Sequence, residues 1–129
     1  MKRLLTLSTL FLVMTMTLSC GSDVVSDTTN PLLEEWTTEF GVPPFDKIKT
    51  EHYAPAFEEA MKMHNEEIAA IVASEEEPSF ENVILAMDNA GVKLYELNLI
   101  FGMLSSSDLD DKMQEVQNTM MPRIEEHYN

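Results

Sequence analysis

Eight residues late in the chain, Leu97-Asn98-Leu99-Ile100-Phe101-Gly102-Met103-Leu104, set the tightest limit on the fold. Wound into a helix, they place an apolar side chain on almost every side. A helix that is apolar all round must be covered all round. The chain has 129 residues, room for one small domain, and two neighbouring helices do not easily enclose a third. The pattern therefore predicts an all-α fold whose second helix needs more protein around it than these residues supply.

The neighbours can be read from the same periodicity. A first helix is expected from about Thr50 or Tyr53 to Ala73, with Phe57, Met61, His64, Ile68, Ile71 and Val72 on one stripe. Pro55 fits only in its first turn. Glu58, Lys62 and Glu66, spaced by four on the other side, read as solvated ion pairs. Glu75-Glu76-Glu77 suits the approach to the next helix, where negative charge meets the positive dipole end. Pro78-Ser79 marks that start, with Ser79 as N-cap. One continuous second helix is predicted from Phe80 to about Leu104, with Val83, Ile84, Met87, Ala90, Gly91, Leu94, Leu97, Phe101 and Leu104 in its core.

Ser105-Ser106-Ser107 is expected to end this helix, and Ser107 to cap a third. Asp108, Asp110 and Asp111 then fill a first turn where acidic residues are favourable. Leu109, Met113, Val116, Met120, Ile124 and Tyr128 form the buried stripe. Pro122 falls inside it and should kink or split the helix near Met121. The chain reaches Asn129 with no C-cap or closing turn, so this end reads as cut.

Ahead of the helices, Asn30 to Lys49 holds three prolines and one glycine, which excludes long regular structure. Val42-Pro43-Pro44-Phe45 should be extended, since a residue before proline is pushed out of the α region. Trp36, Phe40 and Phe45 are expected to pin this segment onto the helices.

The first 19 residues read differently. Met1-Lys2-Arg3 is a short basic stretch and Leu4 to Leu18 a mostly apolar one, too short to span a bilayer but suited to a secretory signal. Leu18-Ser19-Cys20-Gly21 reads as a lipobox, with Cys20 the residue to be lipidated. Thr17 departs from the usual pattern, and an ordinary signal peptide followed by a free thiol is the alternative. Residues 20–29 would be a flexible tether and residues 30–129 the helical part. Cys20 is the only cysteine, so no internal disulfide is possible. Cleavage would remove Lys2 and Arg3 and no acid, deepening the net charge by two, from −15 to −17. Such a chain repels phosphate backbones and anionic headgroups, which argues against nucleic acid as a partner. Membrane contact would come through lipid on Cys20.

No chemistry is spelled out in the sequence. A zinc hydrolase of the H-E-x-x-H type needs two histidines one helical turn apart, whereas His52, His64 and His127 are far apart. His64 reads as a half-buried helix residue and the other two as boundary positions. An EF-hand loop beginning at Asp108 would need an oxygen ligand at Lys112, glycine at Met113 and glutamate at Thr119. All three positions fail. No G-x-S-x-G, G-x-G-x-x-G or Walker A pattern occurs. Catalytic and metal-ligating residues are accordingly expected to be absent from this chain.

One block is more distinctive. Asn30-Pro31-Leu32-Leu33, Trp36, Gly41-Val42-Pro43-Pro44-Phe45-Asp46-Lys47-Ile48 and Glu51-His52-Tyr53-Ala54-Pro55-Ala56-Phe57 resemble the N-terminal region of the thimet oligopeptidase-like zinc metallopeptidases, closest to the bacterial peptidyl-dipeptidase (Dcp) branch. Pro78-Ser79-Phe80-Glu81-Asn82, Leu104-Ser105-Ser106-Ser107 and Pro122-Arg123 also fit. The resemblance implies three helices of the N-terminal lobe of a larger, mostly helical, two-lobed enzyme. In such an enzyme an H-E-x-x-H helix and a later glutamate hold zinc, and dipeptides are released from the C-terminal end of short peptide substrates. None of those catalytic residues has a counterpart here. The expectation is thus an inactive N-terminal fragment of a lipid-anchored, exported zinc peptidyl-dipeptidase, facing the periplasm or cell exterior. The rival is a complete small helical lipoprotein acting as a binding or adaptor module.

Overall fold

The computed structural model describes residues 29–129, so the leader, the lipobox with Cys20 and nearly all of the tether lie outside the described residues. Those residues are helical, with no strand among them, as the periodicity predicts. A turn of 3-10 helix at Thr50–His52 leads into α1, Tyr53–Val72. A π-helical segment, Phe80–Leu85, runs into a single turn of α-helix, α2, Ala86–Asn89. Then follow α3, Val92–Ser107, and α4, Asp111–His127. α1 is the common partner, packed against both α3 and α4.

The core is concentrated towards the start of α1. Tyr53, Ala56, Phe57, Ala60 and Met61 meet Leu94, Leu97, Ile100 and Phe101 of α3 and Met113, Met120 and Ile124 of α4. Phe101 stands edge-on to two rings at once, 5.1 Å from Tyr53 and 5.6 Å from Phe57 between centroids. Such pairs add about 0.5–1.5 kcal/mol beyond the area they bury. The Tyr53 hydroxyl is buried without a hydrogen-bond partner, and desolvation pushes its pKa up to about 12.

The segment before α1 is held by polar hooks around one apolar anchor. Leu32 is wholly buried in the core. Asn30 Nδ2 donates to the carbonyl of His52 at 2.7 Å, while Asn30 Oδ1 accepts from the amide of Leu32 at 3.1 Å. Trp36 is half-buried against the core: its Nε1 donates to the Pro31 carbonyl at 2.9 Å, and Lys93 Nζ sits 4.8 Å from its ring. Phe40 and Phe45 do not serve as anchors. Phe40 is 91% exposed, in the left-handed conformation at φ 63°, and Phe45 also faces solvent. Leu32, Leu33 and Ile48 do that packing instead.

The expected second helix is broken. Ser79 is its N-cap as predicted: Ser79 Oγ accepts from the amide of Asn82 at 3.1 Å, and Asn82 Oδ1 accepts from the amide of Ser79 at 2.8 Å. Ala90 then turns extended and Gly91 takes φ 75°, so the chain changes direction before α3 begins. Gly91 is the left-handed corner residue that glycine tolerates best, not a small residue in a continuous stripe. The π winding ahead of it also disturbs the three- and four-residue register. As a result Ile84 and Met87 are exposed and Val83 only half-buried.

The other helix ends differ in smaller ways. The three serines form the last turn of α3, with Ser106 and Ser107 hydroxyls donating back to the Met103 carbonyl at 2.8 and 2.9 Å. The cap of α4 is Asp110, whose Oδ1 accepts from the amide of Met113 at 2.7 Å; Ser107 plays no part. A carboxylate at that site also meets the helix dipole, which a hydroxyl does not. α4 runs through Pro122 as one helix and is not split at Met121. The α1 stripe is buried as far as Met61 and half-buried at His64, Ile68 and Ile71, but Val72 is 80% exposed.

Candidate functional site

Two histidines too far apart in sequence for an H-E-x-x-H pair are brought together. His64, on α1, and His127, at the end of α4, are 63 residues apart in sequence, and His64 Nδ1 lies 2.9 Å from His127 Nε2. The ring centroids are 5.0 Å apart, close to the largest separation this contact allows. The rings therefore meet nearly end to end, in the geometry of an N–H···N hydrogen bond. One ring supplies the proton and the other accepts it. Tyr128 closes the cluster, 5.8 Å from His64 and 5.4 Å from His127 between centroids. Burial, and secondarily the charge of His64, hold His127 below the usual histidine range.

The Gly91 corner forms another wall of this cluster. Its amide donates to Glu67 Oε2, one turn along α1 from His64, at 2.7 Å. A β-carbon at Gly91 would lie 3.0–3.2 Å from three atoms of the His64 ring. α1, α4 and the corner before α3 thus converge on one imidazole. No sequence pattern links these positions, so only the fold discloses the pair.

Near this cluster, Arg123 of α4 forks onto Glu58 of α1. Nη2 donates to Glu58 Oε2 at 2.8 Å and Nη1 donates to Oε1. Glu58 therefore does not join the expected pair with Lys62, which instead reaches Glu59 at 2.9 Å and Glu66 at 3.9 Å. Those two carboxylates raise the Lys62 pKa, the hydrogen-bonded Glu59 most. A groove of about 410 Å³ between the start of α1 and α4 is lined by Glu51, Ala54, Lys112, Glu115, Val116 and Thr119.

Among the described residues no three His, Cys, Asp or Glu side chains gather into a group that could hold a metal ion. The two imidazoles that meet are turned towards each other. His52 faces elsewhere, its Nδ1 accepting from the amide of Lys49 at 3.1 Å. The acidic run at 108–111 serves the start of α4, and Cys20 lies outside the described residues.

One surface stands out among the described residues. Val92, Tyr95, Leu99 and Met103 recur at three- and four-residue steps along α3, and all four are exposed. Leu94, Leu97, Ile100 and Phe101, on the opposite side, are buried. The excess apolar surface read from the sequence is therefore present as a bare helix face. No helix among the described residues is long and apolar enough to cross a membrane.

No protein-family model matches the chain. Dipeptidyl carboxypeptidase of Escherichia coli is 33% identical over 102 residues, which is 79% of this chain and 15% of that protein. Dipeptidyl carboxypeptidase of Salmonella typhimurium is 35% identical over 96 residues, 74% of this chain and 14% of that protein. The chain thus spans only a small part of the length of the relatives it matches. The resemblance read from the block between Asn30 and Phe57 is upheld: over the segment they share, this chain is a sequence relative of the bacterial dipeptidyl carboxypeptidases.

Proposed function

We propose that this chain is a non-catalytic scaffold segment of a zinc-dependent peptidyl-dipeptidase, an enzyme that hydrolyses oligopeptides by releasing C-terminal dipeptides. The observation that carries the reading is the bare face of α3 in a chain related to dipeptidyl carboxypeptidases. A helix with apolar residues on both sides is built to lie between two bodies of protein, and only one of them is described here. The catalytic zinc and its H-E-x-x-H helix belong, on this reading, to protein outside the present sequence, which contains no such motif. The segment's role is to position helices, and short peptides are substrates of the whole enzyme alone. Cys20 would carry the lipid that tethers the exported protein to a membrane.

The test is the reading frame downstream of the Asn129 codon. An open frame encoding H-E-x-x-H followed by a later glutamate supports the proposal. An immediate stop codon overturns it in favour of a free-standing helical module. Mass spectrometry of an oligopeptide incubated with the 129-residue chain and zinc should show no dipeptide release. Dipeptide release in that assay would equally overturn the scaffold reading. Labelled palmitate appearing in wild-type protein but not in Cys20→Ala checks the anchor.

A further inference from the structure

The imidazole pair does something that neither a scaffold role nor peptide hydrolysis requires. A 2.9 Å N···N contact needs one ring nitrogen with a free lone pair. With both rings protonated, two N–H groups and two positive charges would face each other at that distance. We propose that His64 and His127 form a proton-operated clasp, which fastens the last turn of α4 to α1 while the pair holds at most one extra proton and lets it go on the second.

The surroundings favour this role. Neither nearby carboxylate on α1 hydrogen-bonds an imidazole: Glu58 is forked by Arg123, and Glu67, in the same cluster, accepts the Gly91 amide. Glu126 shares a groove with His127, but the cations Lys62 and Arg123 share it too. Lys93 and Glu96 of α3 pair with each other, and Asp88 is the only charged residue of α2. Tyr128 offers its ring to both histidines and no charge in the relevant range, since burial raises its pKa.

The direction of the effect follows from linkage. His127 is held below its ordinary value in the folded chain, so near pH 6 the unfolded chain binds more protons at this site. Stability then rises with pH across that window. The contribution is fully present above the ordinary histidine value and is lost as pH falls through the lowered one.

The experiment is amide hydrogen exchange on the 129-residue chain, alongside nitrogen NMR of the imidazoles, from pH 8 to pH 5. We expect the pair to titrate in two separated steps. Protection factors of the amides at 124–128 should fall about tenfold across the second step. His127→Gln and His64→Gln should each remove that pH dependence, whatever they do to absolute protection, and His52→Gln should preserve it. Two independent titrations at the ordinary histidine value, or a fall in protection that survives both glutamine substitutions, would overturn the clasp. Because the imidazole signals come from the unsubstituted chain, that readout holds even if a variant folds poorly. None of these outcomes depends on whether the chain belongs to a peptidase.

Discussion

Gly91 presses its bare Cα against the ring of His64, leaving a β-carbon no more than 3.0–3.2 Å from three ring atoms. The same residue sits at φ 75° and gives its amide to Glu67. Gly91→Ala meets two penalties at once, left-handed backbone strain and a tight contact with a ring that His127 holds in place. The substitution should cost about 2–3 kcal/mol. Urea unfolding checks the loss. A stability within about 0.5 kcal/mol of wild type would mean that the corner has moved.

Arg123 and Glu58 test how much a forked ion pair contributes when it is only half buried. Their side chains are 49% and 45% exposed, so solvent screens most of the attraction. A double-mutant cycle with Arg123→Ala and Glu58→Ala should give a coupling of about 0.5–1 kcal/mol. Raising the salt to 1 M should shrink it further. A coupling above about 2 kcal/mol would show the pair to be drier than this geometry implies.

Leu32 is the single apolar anchor of the segment ahead of α1 that is wholly buried. Leu32→Ala should destabilise the fold by about 2–4 kcal/mol through the cavity it leaves. It should also loosen Trp36, whose indole rests against the core beside Lys93. The emission of that lone tryptophan should therefore shift to the red before global unfolding. Phe40→Ala, at a side chain in solvent, should leave the emission maximum unchanged.

The bare face of α3 makes a prediction about association. Leu99→Gln with Met103→Gln should alter monomer stability by less than about 0.5 kcal/mol, since both side chains are already exposed. The pair should nonetheless reduce self-association of the isolated chain, measured by sedimentation velocity, because an exposed apolar stripe is removed. Leu97→Ala, on the buried side of α3, should instead cost about 2–5 kcal/mol. If the double glutamine variant associates as strongly as wild type, the sticky surface lies elsewhere.

Helix type and approximate position were legible because periodicity and caps are local. Ser79 shows this best: a serine followed by Asn82, with proline before it, specifies its own capping geometry. Gly91 was misread because a glycine at a core-like spacing and a glycine at a corner look alike until the fold shows which way the chain turns. Ser107 lost the cap to Asp110 over a distance of three residues, a choice set by where α3 runs out. Phe40 was misjudged because hydrophobicity gives no sign of a positive φ. The partnership of His64 with His127 was beyond sequence reasoning, since it depends on α4 folding back along α1. The bare side of α3 was foreseeable, because surplus apolar surface is a matter of counting faces.

The fully buried residues of α1 end at Met61, although the helix continues to Val72. Past the His64 and Glu67 contacts its side chains thin out to half-buried Ile68 and Ile71 and an exposed Val72. Backbone hydrogen bonds there should open at a lower free-energy cost than those around Phe57, giving a gradient of rigidity along one unbroken helix.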